Sequence, residues 1–217
     1  MAEFKMVKIP PEESDKKWKV IIDGKEEDVS LIEISGPYGD LFYGLRPEKF
    51  IGWMWKEVGG GGAVTLFYSQ IGEKTFVGLL EESRPNMGDK PVLCITGGFV
   101  AIGENHCKAQ KREACEKTGI STKKAVELSG LPVISNRLYF IADPNNNKGV
   151  HLYVLEIPSS VLEKSTCSFG DCWRPQKELP GFGKSGKLVF MPVKDAVNNT
   201  ADVIAHSAIA RFIVNQL

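Results

Sequence analysis

Short apolar runs separated by glycine, proline and charged clusters dominate the chain, a pattern that predicts more strands than helices. Residues 18–22 read as a strand closed by the turn Asp23-Gly24, and 29–34 is a second apolar run. Gly36-Pro37 and Gly39-Asp40 then break the pattern. Residues 46–56, which carry Trp53 and Trp55, fit either a short helix or a strand. The glycines at 59–62 punctuate the chain and set a β-rich appendage, residues 1–57, apart from a domain at 58–217.

Beyond the glycines, strand and helix patterns alternate. Residues 63–68 and 75–80 form a hairpin signal around the turn at 70–73. Residues 105–118 predict a helix with Asn105 as N-cap and Gly119 as the glycine after its last turn. Strands are expected at 138–142 and 150–157, on either side of a loop at 143–149. The polar, glycine-rich stretch 165–186 reads as a surface loop, and 188–193 as a last strand. Residues 200–215 close the chain as a helix with Val203, Ile204, Ser207, Ala208 and Phe212 on one face. The expected fold is α+β: a mixed β-sheet with helices on its faces, an α/β/α sandwich.

Composition narrows the function. Lys plus Arg and Asp plus Glu both number 27, so the formal charge is zero. That balance argues against nucleic acid as the main partner, because a basic excess normally supplies such affinity. No apolar run reaches the length of a bilayer span, so no membrane partner is expected. Five cysteines, scattered and odd in number, read as reduced thiols of a cytoplasmic protein. Cys167 and Cys172 could begin a zinc site, but no second Cys/His pair stands at metal-ligand spacing.

The chemistry concentrates in one segment. Gly98 to Glu104 form a glycine-flanked loop, and seven residues later come Arg112, Glu113, Ala114, Cys115, Glu116, Lys117, Thr118, Gly119 and Ile120. Glu113 and Glu116 stand three apart on the expected helix and share a face, where like charges repel unless a cation lies between them. The helix offers only Cys107, Ala109, Ala114 and Cys115 for packing, so it is a candidate platform for a hard metal ion.

This segment resembles the box of the Nudix hydrolase superfamily: Gly, five residues, Glu, seven residues, then Arg-Glu-aliphatic-any-Glu-Glu-any-Gly-aliphatic. Gly98, Glu104, Arg112, Glu113, Glu116, Gly119 and Ile120 fall in register. Six fixed matches at set spacing arise by chance in roughly one in 10⁵ chains of this size at average residue usage. The resemblance implies Mg²⁺ or Mn²⁺ held by Glu113, Glu116, Glu104 and the backbone carbonyl of Gly97. Glu113 and Glu116 would be catalytic, and Gly98, Arg112 and Gly119 structural. Ala114 replaces a larger aliphatic, which bears on packing. Lys117 replaces the second glutamate of the family's pair, which bears on chemistry, since an ammonium cannot ligate a metal. Pointing inward, Lys117 would oppose a divalent ion by roughly 4 kcal/mol per unit charge at about 4 Å and an effective dielectric near 20. Pointing outward, it would leave a two-carboxylate site.

Outside the box, Glu82-Ser83-Arg84-Pro85 is similar to a run in the ADP-ribose pyrophosphatase branch, which implies Arg84 as a phosphate contact. The loop at 143–149 lacks the glutamate that branch commonly carries there; Asp143 is its only acid and reads as a turn-former. The first 57 residues loosely resemble strands with which such proteins dimerise, implying a homodimer. His106, His151 and His206 read as structural, and Trp53 and Trp55 as buried or interface aromatics. Two functions follow. One is Mg²⁺-dependent hydrolysis of a nucleoside diphosphate linked to a second group, ADP-ribose-like. The other is a nucleotide-binding or regulatory module whose metal chemistry Lys117 has weakened.

Overall fold

The computed structural model describes residues 61–83, 90–133, 149–176 and 187–216 in full, and five strands between 18 and 57 by their backbone. Those five are β1 (Trp18–Ile22), β2 (Lys25–Val29), β3 (Leu31–Gly36), β4 (Gly39–Leu45) and β5 (Ile51–Glu57). β1 pairs with β2, and β3, β4 and β5 form a second antiparallel sheet. The segment at 46–56 is therefore strand where it is described. The glycine breaks at 36–40 mark a hairpin, since Gly36 pairs with Gly39 across the β3–β4 turn.

The main sheet is built around β6 (Gly61–Ile71), whose first seven residues are all buried. That strand lies between β7 (Lys74–Ser83), antiparallel to it, and β11 (Gly149–Glu156), parallel to it. β8 (Pro91–Cys94) pairs with β7, β9 (Thr96–Phe99) with β6, and the short β10 (Val126–Glu127) with β11. Beyond β7 come β14 (Leu188–Pro192), β13 (Gly170–Pro175) and β12 (Leu162–Cys167). One parallel pairing among antiparallel ones makes the sheet mixed.

Strand alternation sorts the core into two layers. Val64 and Leu66 of β6, Val77 and Leu79 of β7, and Val189 and Met191 of β14 pack with Ala205, Ala208, Ile209 and Phe212 of α3 (Val203–Gln216). Phe67, Phe76, Leu80, Leu188 and Phe190 point the other way, with Ala114 of α1 (His106–Thr118). Ala63 and Ala109 meet on that same side. The result is the α/β/α sandwich of an α+β fold. Among the described residues no helix is long and apolar enough to cross a membrane.

Three expectations change. The stretch read as a loop from 165 contains the end of β12 and all of β13, a hairpin in register from Leu162↔Pro175 to Cys167↔Gly170. Its outer face is polar, so its alternation is faint; Cys172 alone of β13 is fully buried. Val193, expected to end a strand, instead starts α2 (Val193–Asn199), a helix too short to show a periodic stripe. Val203 is 64% exposed, and the buried stripe of α3 runs through Ala205, Ala208, Ile209 and Phe212 at spacing i, i+3, i+4, i+7. The strand expected at 138–142 lies outside the described residues.

Candidate functional site

Helix α1 starts and stops on local signals. The Asn105 side chain accepts a hydrogen bond from the Lys108 amide at 2.9 Å, and Gly119 closes the last turn at φ 73°, its amide donating to the Cys115 carbonyl. The buried residues of the helix are Ala109, Gln110, Ala114 and Thr118. Small side chains let it lie close to the sheet. Gln110 Nε2 donates to Thr65 Oγ1 at 2.8 Å, and the Thr118 hydroxyl donates back to the Ala114 carbonyl at 2.6 Å, so the polar members are satisfied.

Gly98 lets Glu113 of the helix lie close over β9, and Gly97 lets β9 lie close to β6. A Cβ on Gly98 would stand 2.2 Å from the Glu113 carboxyl carbon, and one on Gly97 would stand 2.4 Å from the Ala63 carbonyl oxygen. Glu113 thus lies directly over the β9 backbone, with its side chain only 12% exposed.

Arg112 gathers the acids. Its Nε and Nη2 fork onto Glu104 at 3.1 and 2.9 Å, its Nη1 donates to Glu113 at 2.6 Å, and the same nitrogen reaches Glu116 at 3.4 Å. Nη2 also donates to the Phe99 carbonyl at 2.9 Å, and Glu104 accepts the Ala101 amide at 3.0 Å. The carboxyl groups of 113 and 116 therefore converge, on a guanidinium. Glu116 is the outermost, with 59% of its side chain exposed.

Lys117 points inward. Its ammonium donates a hydrogen bond to the Gly97 carbonyl and stands 3.7 Å from Glu113 Oε2. That carbonyl and that carboxylate are two of the oxygens the family resemblance gives to the metal. The ammonium takes the place between them. Among the described residues no three His, Cys, Asp or Glu side chains are grouped to hold a metal ion. These residues do not fit a divalent cation bridging Glu113 and Gly97. They fit a fixed monovalent charge.

The Glu104 carboxyl is held below its ordinary value of 4.5, chiefly by hydrogen bonding from Arg112 and against the effect of burial. The Arg112 guanidinium is correspondingly raised, first by its bond to Glu104. Because the folded carboxyl has the lower pKa, its contribution to stability is full above pH 4.5 and fades as pH falls through the folded value. Arg112→Ala is expected to cost about 1–2 kcal/mol at pH 7, reduced from a buried pair because the groups are partly solvated. Urea unfolding should show that gap narrowing at pH 3; an equal gap at both pH values would contradict the pairing.

The remaining candidates separate from this cluster. His106 and His151 stack at 3.7 Å between ring centroids, His106 Nε2 lies 3.2 Å from the Gly149 carbonyl, and His151 Nδ1 lies 2.5 Å from Glu127 Oε1. They tie the start of α1 to β11 and β10. His206 Nε2 lies 3.0 Å from the Thr200 carbonyl. Arg84 and Asp143 lie outside the described residues, as do the side chains of Trp53 and Trp55. The Glu127–His151 contact was not read from the sequence, because the strand register that joins the two is long-range.

No family model matches the chain, and no curated protein matches it. Solved structures do. The NUDIX domain of Shewanella oneidensis NrtR, complexed with ADP ribose, is 12% identical with a TM-score of 0.46, covering 79% of this chain and 94% of that one. A C. elegans Ap4A hydrolase binary complex is 16% identical at a TM-score of 0.45, covering 72% of this chain and 96% of that one. An ADP compounds hydrolase is 11% identical at 0.44, covering 91% and 92%. Nudix domains are thus among the structures to which this fold is similar.

Proposed function

We propose that this chain is a Nudix-fold module, residues 58–217, that binds a nucleoside diphosphate linked to a second group, with the Lys117 ammonium in the role usually given to a divalent cation. One observation carries the reading: Lys117 bridges the Gly97 carbonyl and Glu113. A diphosphate arriving beside three carboxylates needs a positive charge to meet it. The ammonium, already held at the helix–sheet junction with a third of its side chain exposed, supplies one without a metal. Arg84, implied by the sequence resemblance, is the proposed second phosphate contact. The first 57 residues would be a separate appendage, suited to pairing two copies.

Hydrolysis is the demanding part. It needs a water activated by a metal or a base, and Glu113 is committed to Arg112 and Lys117. Glu116 is exposed, yet alone it is a weak base and a single ligand. Binding without efficient turnover is therefore the expected behaviour.

Calorimetry of the full chain with ADP-ribose is the test, run with Mg²⁺ and with EDTA. The expected result is the same affinity in both, with no AMP released over hours. Affinity that appears only with Mg²⁺, together with AMP release, would favour the metal-dependent hydrolase instead.

A further inference from the structure

Beside the nucleotide site an aromatic ring stands at the surface on a backbone that is held in place. Phe99, the last residue of β9, is 43% exposed. Its carbonyl accepts Arg112 Nη2 at 2.9 Å, and the next residue, Val100, is buried with its amide donating to the Gly61 carbonyl at 2.9 Å. Glu104 then accepts the Ala101 amide at 3.0 Å. A ligand meeting this ring would have little backbone to order. Alternation along the strand sets where the ring points. Gly98 faces α1, because a Cβ there would meet the Glu113 carboxylate, so Phe99 and Gly97 share the opposite face. The residue paired with Phe99 on β6 is Gly62, so neither neighbouring position, 62 or 97, brings a side chain against the ring. Gly97 and Phe99 also turn their carbonyls to one edge of β9, where Lys117 and Arg112 of α1 reach them. Two residues of strand set them about 7 Å apart, a step that one ribose bridges between a diphosphate and its base.

We propose, resting on the nucleotide-binding reading above, that Phe99 is the base platform of this site. A diphosphate held at Lys117 lays its nucleobase on the Phe99 ring, beside Gly97. A ring face selects by the area of the π-system and not by hydrogen-bond pattern, because every base has a face to stack. Purines should therefore bind more tightly than pyrimidines, with little distinction between adenine and guanine. A diphosphate without a base gains nothing from Phe99.

The test is titration calorimetry of the full chain with ADP-ribose and with inorganic pyrophosphate, joined to proton spectra of the bound adenine. Phe99→Ala should weaken ADP-ribose by about 10-fold and leave pyrophosphate unchanged. Phe99→Trp should keep the parental affinity, and Phe99→Leu, apolar but without a π-face, should not. The adenine H2 and H8 resonances should move upfield on binding to the parent and to Phe99→Trp, and lose that movement with Phe99→Ala. Parental affinity of Phe99→Ala for ADP-ribose would overturn the platform and leave the diphosphate site standing. An equal loss of both ligands would also overturn it, by assigning the ring to the shape of the loop. A parent that binds neither ligand would remove the nucleotide reading itself, and the platform with it.

Discussion

Lys117→Glu is expected to make nucleotide binding depend on metal. In EDTA the variant should bind ADP-ribose about 10- to 100-fold more weakly than the parent, the loss of one charged hydrogen bond worth roughly 1.5–3 kcal/mol. Mg²⁺ should restore much of that loss, because the new carboxylate would stand beside Glu113 and the Gly97 carbonyl, an oxygen set that suits a hard cation. The parent should ignore Mg²⁺ throughout. Titration calorimetry of both proteins reads this directly. Equal affinity of the variant in EDTA would mean that the ammonium does not meet the ligand. Loss of all binding, with or without metal, would point to damage at the helix–sheet junction instead.

Gly97→Ala is expected to cost the fold heavily. The added Cβ would stand 2.4 Å from the Ala63 carbonyl oxygen, 2.5 Å from Val64 Cγ1 and 2.7 Å from Val64 Cα. Two of these are backbone atoms of the central strand, which cannot yield without moving β6 and the strands on either side. Overpacking of this kind costs about 3 kcal/mol or more, and the urea midpoint should fall accordingly. Gly98→Ala makes the informative contrast. Its nearest neighbours are the Glu113 carboxylate atoms at 2.2–2.4 Å, the end of a side chain that can swing away. That variant should keep most of its stability and lose the Glu113–Arg112 contact. A parental urea midpoint for Gly97→Ala would contradict the close approach of β9 to β6.

The contrast shows which parts of the site could be read from sequence. Asn105 and Gly119 bound α1 through hydrogen bonds to residues three or four away, so the helix was legible from composition alone. The shared face of Glu113 and Glu116 was legible for the same reason, since residues three apart on a helix must be neighbours; Glu104, which precedes the helix, was placed by the family resemblance alone. The direction of Lys117 was not. It depends on what faces the helix across space, and the acceptor it finds is a carbonyl twenty residues earlier, on β9. The β12–β13 hairpin escaped for a different reason: Glu163, Lys164, Ser165 and Thr166 are strand residues with the composition of a loop. Only the pairing with β13, and through it with β14, gives them their conformation.

The most direct measurement is a crystal of the full chain soaked with ADP-ribose and Mn²⁺ and recorded at the manganese absorption edge. The account predicts the Lys117 nitrogen against a diphosphate oxygen and no anomalous peak between Glu113 and the Gly97 carbonyl. A manganese peak at that point, with Lys117 displaced into solvent, would contradict it.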